Sequence, residues 1–184
     1  MNKVNYTDIR EANISDAAGL VRVSVESWRS TYAGIIPQEF LDSLTYEGRT
    51  RHWEERLSDT DIPGFTFVAK DSTGGIIGYA GGLKGNSGNR IYTGEVGDIY
   101  LLKESQRQGT GRRLMATVAL RLKEYGHSSL LVWVLEDNPY RKFYEALDGQ
   151  PAGEKVVEIG GRKLAEVAYG WLNLNIFEEI VKSD

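Results

Sequence analysis

Gln106-Arg107-Gln108-Gly109-Thr110-Gly111 is the stretch around which the chain arranges itself. Ahead of it, Val96-Gly97-Asp98-Ile99-Tyr100-Leu101-Leu102 reads as a strand. Behind it, Arg112 to Tyr125 reads as a helix: Leu114, Val118 and Leu122 recur at helical spacing, with Met115 and Ala119 beside them. A strand therefore turns through two glycines into the start of a helix. The first turn of a helix has amide hydrogens without intrahelical partners, and the helix dipole adds partial positive charge there. Gly109 and Gly111 remove side chains where an anion would approach the backbone. Arg107, Arg112 and Arg113 add full charges around the turn. Such a turn suits a phosphate or pyrophosphate.

The P-loop pattern GxxxxGK[ST] is absent, which disfavours magnesium nucleotide chemistry, and so is the dinucleotide fingerprint GxGxxG. Three further stretches flank the turn in order. They are Ile99-Tyr100-Leu101 upstream, Asn138-Pro139 downstream, and then Phe143-Tyr144-Glu145. Together the four resemble the acyl-CoA-binding region of the GNAT acyl-CoA-dependent N-acyltransferases, whose loop runs Q/R-x-x-G-x-G/A. Here that loop is Gln106-x-x-Gly109-x-Gly111. The interval from Asn138 to Tyr144 is one residue shorter than in many members of the family.

The chain has 184 residues, enough for one domain, 1–184, with a sizeable core. Its 41% apolar and 26% charged residues are ordinary for a globular protein, and a net charge of −4 does not suggest a nucleic-acid-binding surface. Having no cysteine excludes a disulfide scaffold and a cysteine nucleophile. No apolar run is long enough to span a bilayer, so a cytoplasmic protein is the expectation. The two lone histidines, His52 and His127, read as surface residues, and no metal site is visible.

Taken in order, Tyr6 to Arg10 reads as a first strand. Asn13 or Ser15 can cap the next helix, where Ala17, Val21, Val25, Trp28 and Tyr32 share one face up to Gly34. Pro37 opens a helix over Gln38 to Leu44, and Tyr46 to Leu57 forms a charged amphipathic one. Gly64 to Ala69 and Ile76 to Gly82 read as paired strands. Gly81-Gly82 and Gly85-Asn86-Ser87-Gly88 read as a loose connection with no helix after it, hence no phosphate cradle. The apolar run from Leu130 to Leu135, within Ser128 to Leu135, suits a strand buried on both faces. Tyr140 to Leu147 reads as a short helix. Glu154 to Ile159 and Arg162 to Trp171 form a hairpin across Gly160-Gly161. The tail, Leu172 to Asp184, either packs back through Ile176, Phe177 and Ile180 or joins a homodimer contact. The expected fold is α/β (α+β): a mixed, mostly antiparallel twisted sheet of about seven strands with helices on both faces, as the resemblance also implies.

The resemblance implies acetyl transfer from acetyl-CoA, as co-substrate and without a metal, to an amine acceptor, either a small molecule or a protein amine. It implies cofactor contacts from Ile99, Tyr100, Leu101, Arg107, Gln108, Gly109, Thr110, Gly111, Arg112, Asn138 and Tyr144. In the family a bulge splays the strand before the loop, so that its free backbone groups pair with the pantetheine arm. By that resemblance the Leu101 N–H faces the acyl oxygen. Glu95 is implied as general base, relayed by water, with Asp98 the neighbouring acid, and Tyr144 as the acid that meets the departing thiolate. The helices from Trp28 to Trp53 are implied to roof the acceptor site, while packing alone would explain Trp28, Tyr32, Phe40 and especially Trp53. Two other readings stand beside this one. They are a non-catalytic acyl-CoA-binding sensor or interaction module, which the retention of Glu95 and Tyr144 argues against, and a nucleotide-binding module.

Overall fold

A computed structural model of the chain describes residues 8–58, 64–83 and 89–182. The first strand, β1, is Asp8–Glu11, so Tyr6 and Thr7 of the expected strand lie outside the described residues. Asn13 then caps a 3-10 turn at Ile14–Asp16: its side chain accepts from Ser15 N at 3.0 Å, and Asp16 accepts from Asn13 N at 2.8 Å. This reciprocal box leads straight into α1 (Ala17–Thr31). After α1 the backbone reverses at Gly34, whose φ of +80° suits glycine. Helices α2 (Gln38–Ser43) and α3 (Tyr46–Ser58) follow.

The strands β2 (Gly64–Lys70), β3 (Ile76–Leu83) and β4 (Gly94–Leu101) form a meander. Gly81 and Gly82, read from the sequence both as the end of the strand and as part of a loose connection, are paired inside β3, opposite Thr66 and Phe65. Glycine suits them because a Cβ at Gly82 would lie 2.7 Å from the Phe65 ring and one at Gly81 3.0 Å from a backbone oxygen. Residues 84–88 of that expected loop lie outside the described residues. Then come α4 (Thr110–Glu124), β5 (Leu130–Leu135), α5 (Lys142–Glu145), β6 (Gln150–Ile159), β7 (Arg162–Trp171) and α6 (Glu178–Lys182). Helix α5 is shorter than the expected Tyr140 to Leu147. The Asn138 side chain accepts from Tyr140 N at 2.8 Å and makes a turn of its first residues. Strand β6 begins earlier than Glu154, with an irregularity between Pro151 and Gly153 that hides it from an alternation pattern.

Among the described residues the sheet has seven strands in the order β1-β2-β3-β4-β5-β7-β6. Every neighbouring pair is antiparallel except β4 and β5. That parallel pair runs only from Gly94 opposite Leu130 to Val96 opposite Val132. Beyond it β4 stays with β3 as far as Leu101, and β5 stays with β7 as far as Leu135. The two central strands therefore part.

A bulge accompanies the parting. Val96 faces Gly82 and Asp98 faces Gly81, so Gly97 has no partner of its own on β3. The extra residue reverses the alternation of β4. Val96, Ile99 and Leu101 belong to the core under α4, while Tyr100 belongs to the opposite face.

Helices cover both faces. Under α4 lie Phe65, Phe67, Val96, Val132 and Tyr169, together with the tail residues Leu174, Phe177 and Ile180. The tail thus packs back on the domain, and Lys123 ties it down through Asn175 and Glu178, each at 2.6 Å. Across the sheet, Leu20, Val21 and Val23 of α1 and Trp53 of α3 pack on Val68, Ile76 and Tyr79. Trp53 is 4% exposed, a core residue as read. A third cluster joins Tyr32, Ile36 and Leu41 to Leu135 and Leu164, seating the α1–α2 connection on the far strands.

Candidate active site

Where β4 and β5 part, a cleft of about 710 Å³ opens. The edge of β4 that faces it follows from the hydrogen-bond register. Leu102 N donates to Ile77 O at 2.9 Å, so Leu102 and Ile77 are a bonded pair. Bonded and non-bonded pairs alternate along an antiparallel ladder. Tyr100 and Asp98 therefore turn their main chain toward β3, and Ile99 and Leu101 turn theirs toward the gap. The Leu101 carbonyl is taken by Gln106 Nε2 at 3.2 Å and by Ser27 Oγ at 3.4 Å. The Leu101 N–H and both main-chain groups of Ile99 point to the gap left by β5. Of the three residues singled out on this strand, two offer backbone, and Tyr100 offers its side chain.

At the far end of the cleft lies the glycine turn. Gly109 caps α4 with φ +86°, and Arg107 two residues earlier is also left-handed at +62°. A Cβ at Gly109 would meet nothing within 4 Å, so glycine is favoured there by backbone conformation and not by crowding. At Gly111 a Cβ would touch the Phe143 ring at 3.5 Å, an ordinary contact that an alanine could make. Arg113 N donates to Gly109 O at 3.1 Å, closing the first helical bond and leaving the amides of the first turn unpaired within the helix. Arg107 and Arg112 are exposed on the rim, joined by Lys142, a cation that no sequence motif marks. Two residues expected here stand back from the cleft. The Gln108 side chain bonds Glu104 O at 3.2 Å, and Thr110 is buried. Gln106 fastens the loop to the strand through the Leu101 carbonyl, which is a reason for an amide at that place in the pattern.

Tyrosines and Asn138 line the cleft's wall. Tyr144 is 7% exposed, stacks on Tyr169 with centroids 5.6 Å apart, and touches Phe143 edge-on. Burial, then the neighbouring Tyr32, hold its hydroxyl far above the usual tyrosine range, so it stays protonated. Asn138 Nδ2 donates to the Tyr32 hydroxyl at 3.3 Å. Tyr32 reads from sequence either as part of the roof over the acceptor site or as a packing residue. Its place at the end of α1 gives no local signal that it reaches across to the loop after β5.

The acids lie on the other face of β4. Glu95, half-buried, is not in the cleft wall; it stands on the same side as Lys155 and Glu166. Burial raises its pKa, Lys155 opposes this and Glu166 adds to it. Asp98 is engaged by Arg56 at 3.2 Å. Asp98 and Arg56 line a second hollow of about 370 Å³ between α3 and the ends of β2 and β3, with His52 and Glu55. Gly97 borders both the hollow and the cleft. His52 is exposed as read, whereas His127 is half-buried against Gly94. Among the described residues no group of three metal-ligating side chains comes together.

A parted pair of central strands, a backbone edge facing the gap and a helix N-terminus closing it define a class of fold. The model of the Acetyltransferase (GNAT) family matches residues 25–149, well over half of the chain. The chain belongs to the GNAT acetyltransferase family. It is 40% identical over 173 residues to the uncharacterized N-acetyltransferase YuaI of Bacillus subtilis (strain 168), covering 94% of this chain and 97% of that protein. The same fold occurs in the PaiA N-acetyltransferase of Thermoplasma acidophilum, solved in complex with coenzyme A (20% identity, TM-score 0.64, covering 90% of this chain and 99% of that one). It occurs also in yncA of Salmonella typhimurium, solved with its cofactor acetyl-CoA (18% identity, TM-score 0.66, covering 92% and 94%).

Proposed function

We propose that the cleft binds acetyl-CoA and that the chain transfers the acetyl group to a primary amine by direct attack in a ternary complex. The observation that carries this reading is the parting of β4 from β5 after Val96, which ends at the left-handed Gly109 cap. The first-turn amides of α4 take the pyrophosphate, and Arg107, Arg112 and Lys142 supply charge around it. The pantetheine amides pair with the Ile99 and Leu101 edge. The acyl oxygen takes an N–H from that edge, either that of Leu101 or that of Ile99, two residues nearer the bulge.

The acceptor approaches from the other face of β4, where the missing side chain at Gly97 leaves the strand thin. Glu95 accepts the ammonium proton through water; a carboxylate with a raised pKa is a better base near neutrality than an ordinary one. The amine nitrogen bonds to the acyl carbon and loses its second proton to water, the carbon–sulfur bond breaks, and Tyr144 gives its proton to the thiolate. Two companion expectations go with the reading. One is a cytoplasmic setting. The other is a homodimer, for which the exposed Leu172, Ile176 and Val181 near the C-terminus offer apolar surface.

The test is to incubate the protein with acetyl-CoA and a panel of small amines and peptides, following free thiol and product mass. Acetylated product should form with thiol release, and acetyl-CoA alone should leave the intact mass of the protein unchanged. A stoichiometric acyl-protein that passes its acyl group to the amine would overturn direct attack. Binding of acetyl-CoA without turnover across the panel would favour the sensor reading.

A further inference from the structure

Trp133 stands on the face of β5 away from α4, because its neighbours Val132 and Val134 belong to the core under that helix and side chains alternate along a strand. Its cross-strand partner on β7 is Ala168, and the partner of Ala168 on β6 is Gly153. This row of small residues lets the indole lie down across β7, with its Cη2 3.4 Å from where a Cβ on Gly153 would be. Lys155 holds its ammonium over the ring, 4.1 Å from the centroid, and pairs with Glu166 at 3.2 Å. The lysine side chain is 44% exposed and that of Glu166 18%, so the acid is the fixed half of the pair and the lysine the loose half. Trp133 also lines the cleft, together with Gly97, Ile99 and Tyr100. Glu95 pairs with Leu131, two positions before Trp133 and on the same face, and the charges of Lys155 and Glu166 both bear on it. An aromatic face with an acid beside it is a seat for a cation. The chain's own lysine sits in it.

We infer that Trp133 and Glu166 form the seat for the acceptor's ammonium, and that Lys155 fills this seat until the acceptor displaces it. The inference rests on the reading of the chain as an amine acetyltransferase, and it names the acceptor class: an unbranched alkyl ammonium, borne by a small amine or by a lysine side chain. Lys155 shows the shape that fits, a primary ammonium on a methylene chain set over the ring. One ammonium replaces another, so Glu166 is never left half-buried without a partner. The incoming nitrogen then lies beside the strand that carries Glu95. An α-amino acid fits badly, because its carboxylate, one carbon from the ammonium, would meet Glu95 and Glu166.

The experiment follows acetylation of n-butylamine, of a lysine peptide with a blocked N-terminus, and of alanine, at saturating acetyl-CoA. One of the first two should exceed alanine in kcat/KM by about tenfold or more, and the better of them identifies the source. Trp133→Leu should raise KM for that acceptor about tenfold. Lys155→Met keeps the stem and loses the charge, and should lower that KM about threefold or more. Lys163→Met removes a charge from the same hairpin outside the seat and should leave KM unchanged. Acetyl-CoA affinity should stay within about twofold in all three variants. A second measurement needs no turnover: n-butylammonium chloride should shift the indole N–H resonance of Trp133, assigned by its loss in Trp133→Phe, and sodium chloride should not. If Trp133→Leu does not fold, Lys155→Met and this titration decide. Preference for alanine, a KM indifferent to Trp133→Leu, a Lys155→Met effect no larger than that of Lys163→Met, or an unmoved resonance overturns the inference alone. A shifted resonance with no acetylation of any amine overturns the acetyl-transfer reading and leaves the cation seat standing.

Discussion

If Glu95 is the base, it serves the reaction at the expense of the fold. Its carboxyl is half-buried and its pKa is raised, first by burial. A group with a raised folded pKa adds stability below its unfolded value, and that contribution is lost as pH rises through the folded one. At neutral pH the ionised Glu95 therefore burdens the native state. Glu95→Gln should melt no lower than wild type near neutrality, its relative stability should rise with pH across the carboxylate range, and its single-turnover rate should fall by about a hundredfold. A lower melting temperature together with a wild-type rate would make Glu95 a packing residue. Glu95 and Tyr144 are marked through the family resemblance, Glu95 several residues before the tyrosine of its strand and Tyr144 within Phe143-Tyr144-Glu145. The sequence set Tyr32 in the roof or the core but could not show its bond to Asn138, which lies 106 positions away. Nor could it show that Asp98 is held by Arg56, since that pair joins α3 to β4.

At the scale of elements, strand, turn and helix around Gly109 were legible because positive φ and a helix start both leave marks on residue type. Strand β6 was legible only in part: it is an edge, its side chains are mostly exposed, and Pro151 and Gly153 interrupt its pattern. Helix α5 was overextended because its aromatic residues suit a longer helix, while the Asn138 turn uses up its first residues. The entry into α1 shows local chemistry setting a boundary. Arg10 holds both oxygens of Asp16, at 2.7 and 2.8 Å, while Asp16 also accepts from Asn13 N. The Arg10 guanidinium, foremost by this hydrogen bond, holds the Asp16 carboxyl below its usual range. Stability from a depressed pKa is present above the unfolded value and is lost as pH falls through the folded one. Asp16→Ala should cost about 1–3 kcal/mol near neutrality, with the difference from wild type shrinking in acid. A denaturant series at several pH values checks this; a pH-independent difference would mean that the cap and not the charge pair carries the effect.

For the whole molecule, the sheet's design is two blocks that share a short parallel seam. One block, β1 to β4, pairs by meander; the other, β5 to β7, pairs by an antiparallel crossover, and Gly94 to Val96 against Leu130 to Val132 joins them. The core under α4, and on the other face the cluster of Tyr32, Leu135 and Leu164 with Tyr100, hold the blocks together, so the gap beyond Val96 opens without loosening the fold. The sequence made the blocks visible through apolar alternation and the loop through its glycines. The seam's length was not visible, because it depends on one unpaired residue, Gly97, whose type differs in nothing from other strand glycines here.

If the gap is a cofactor site, acetyl-CoA should stabilise the native state by about 2.7 kcal/mol at a hundredfold excess over its Kd, a rise of several degrees in melting temperature. ATP at the same concentration should give no comparable rise. Gly109→Glu places a side chain at a φ of +86°, which L residues adopt at a cost of about 1–2 kcal/mol, and sets a negative charge at the mouth of the anion cradle. The decisive measurement is the acetyl-CoA-induced melting shift of this variant, once circular dichroism has shown it folded: the shift should vanish, and a folded Gly109→Glu protein with the full wild-type shift would contradict the placing of the cofactor in this cleft.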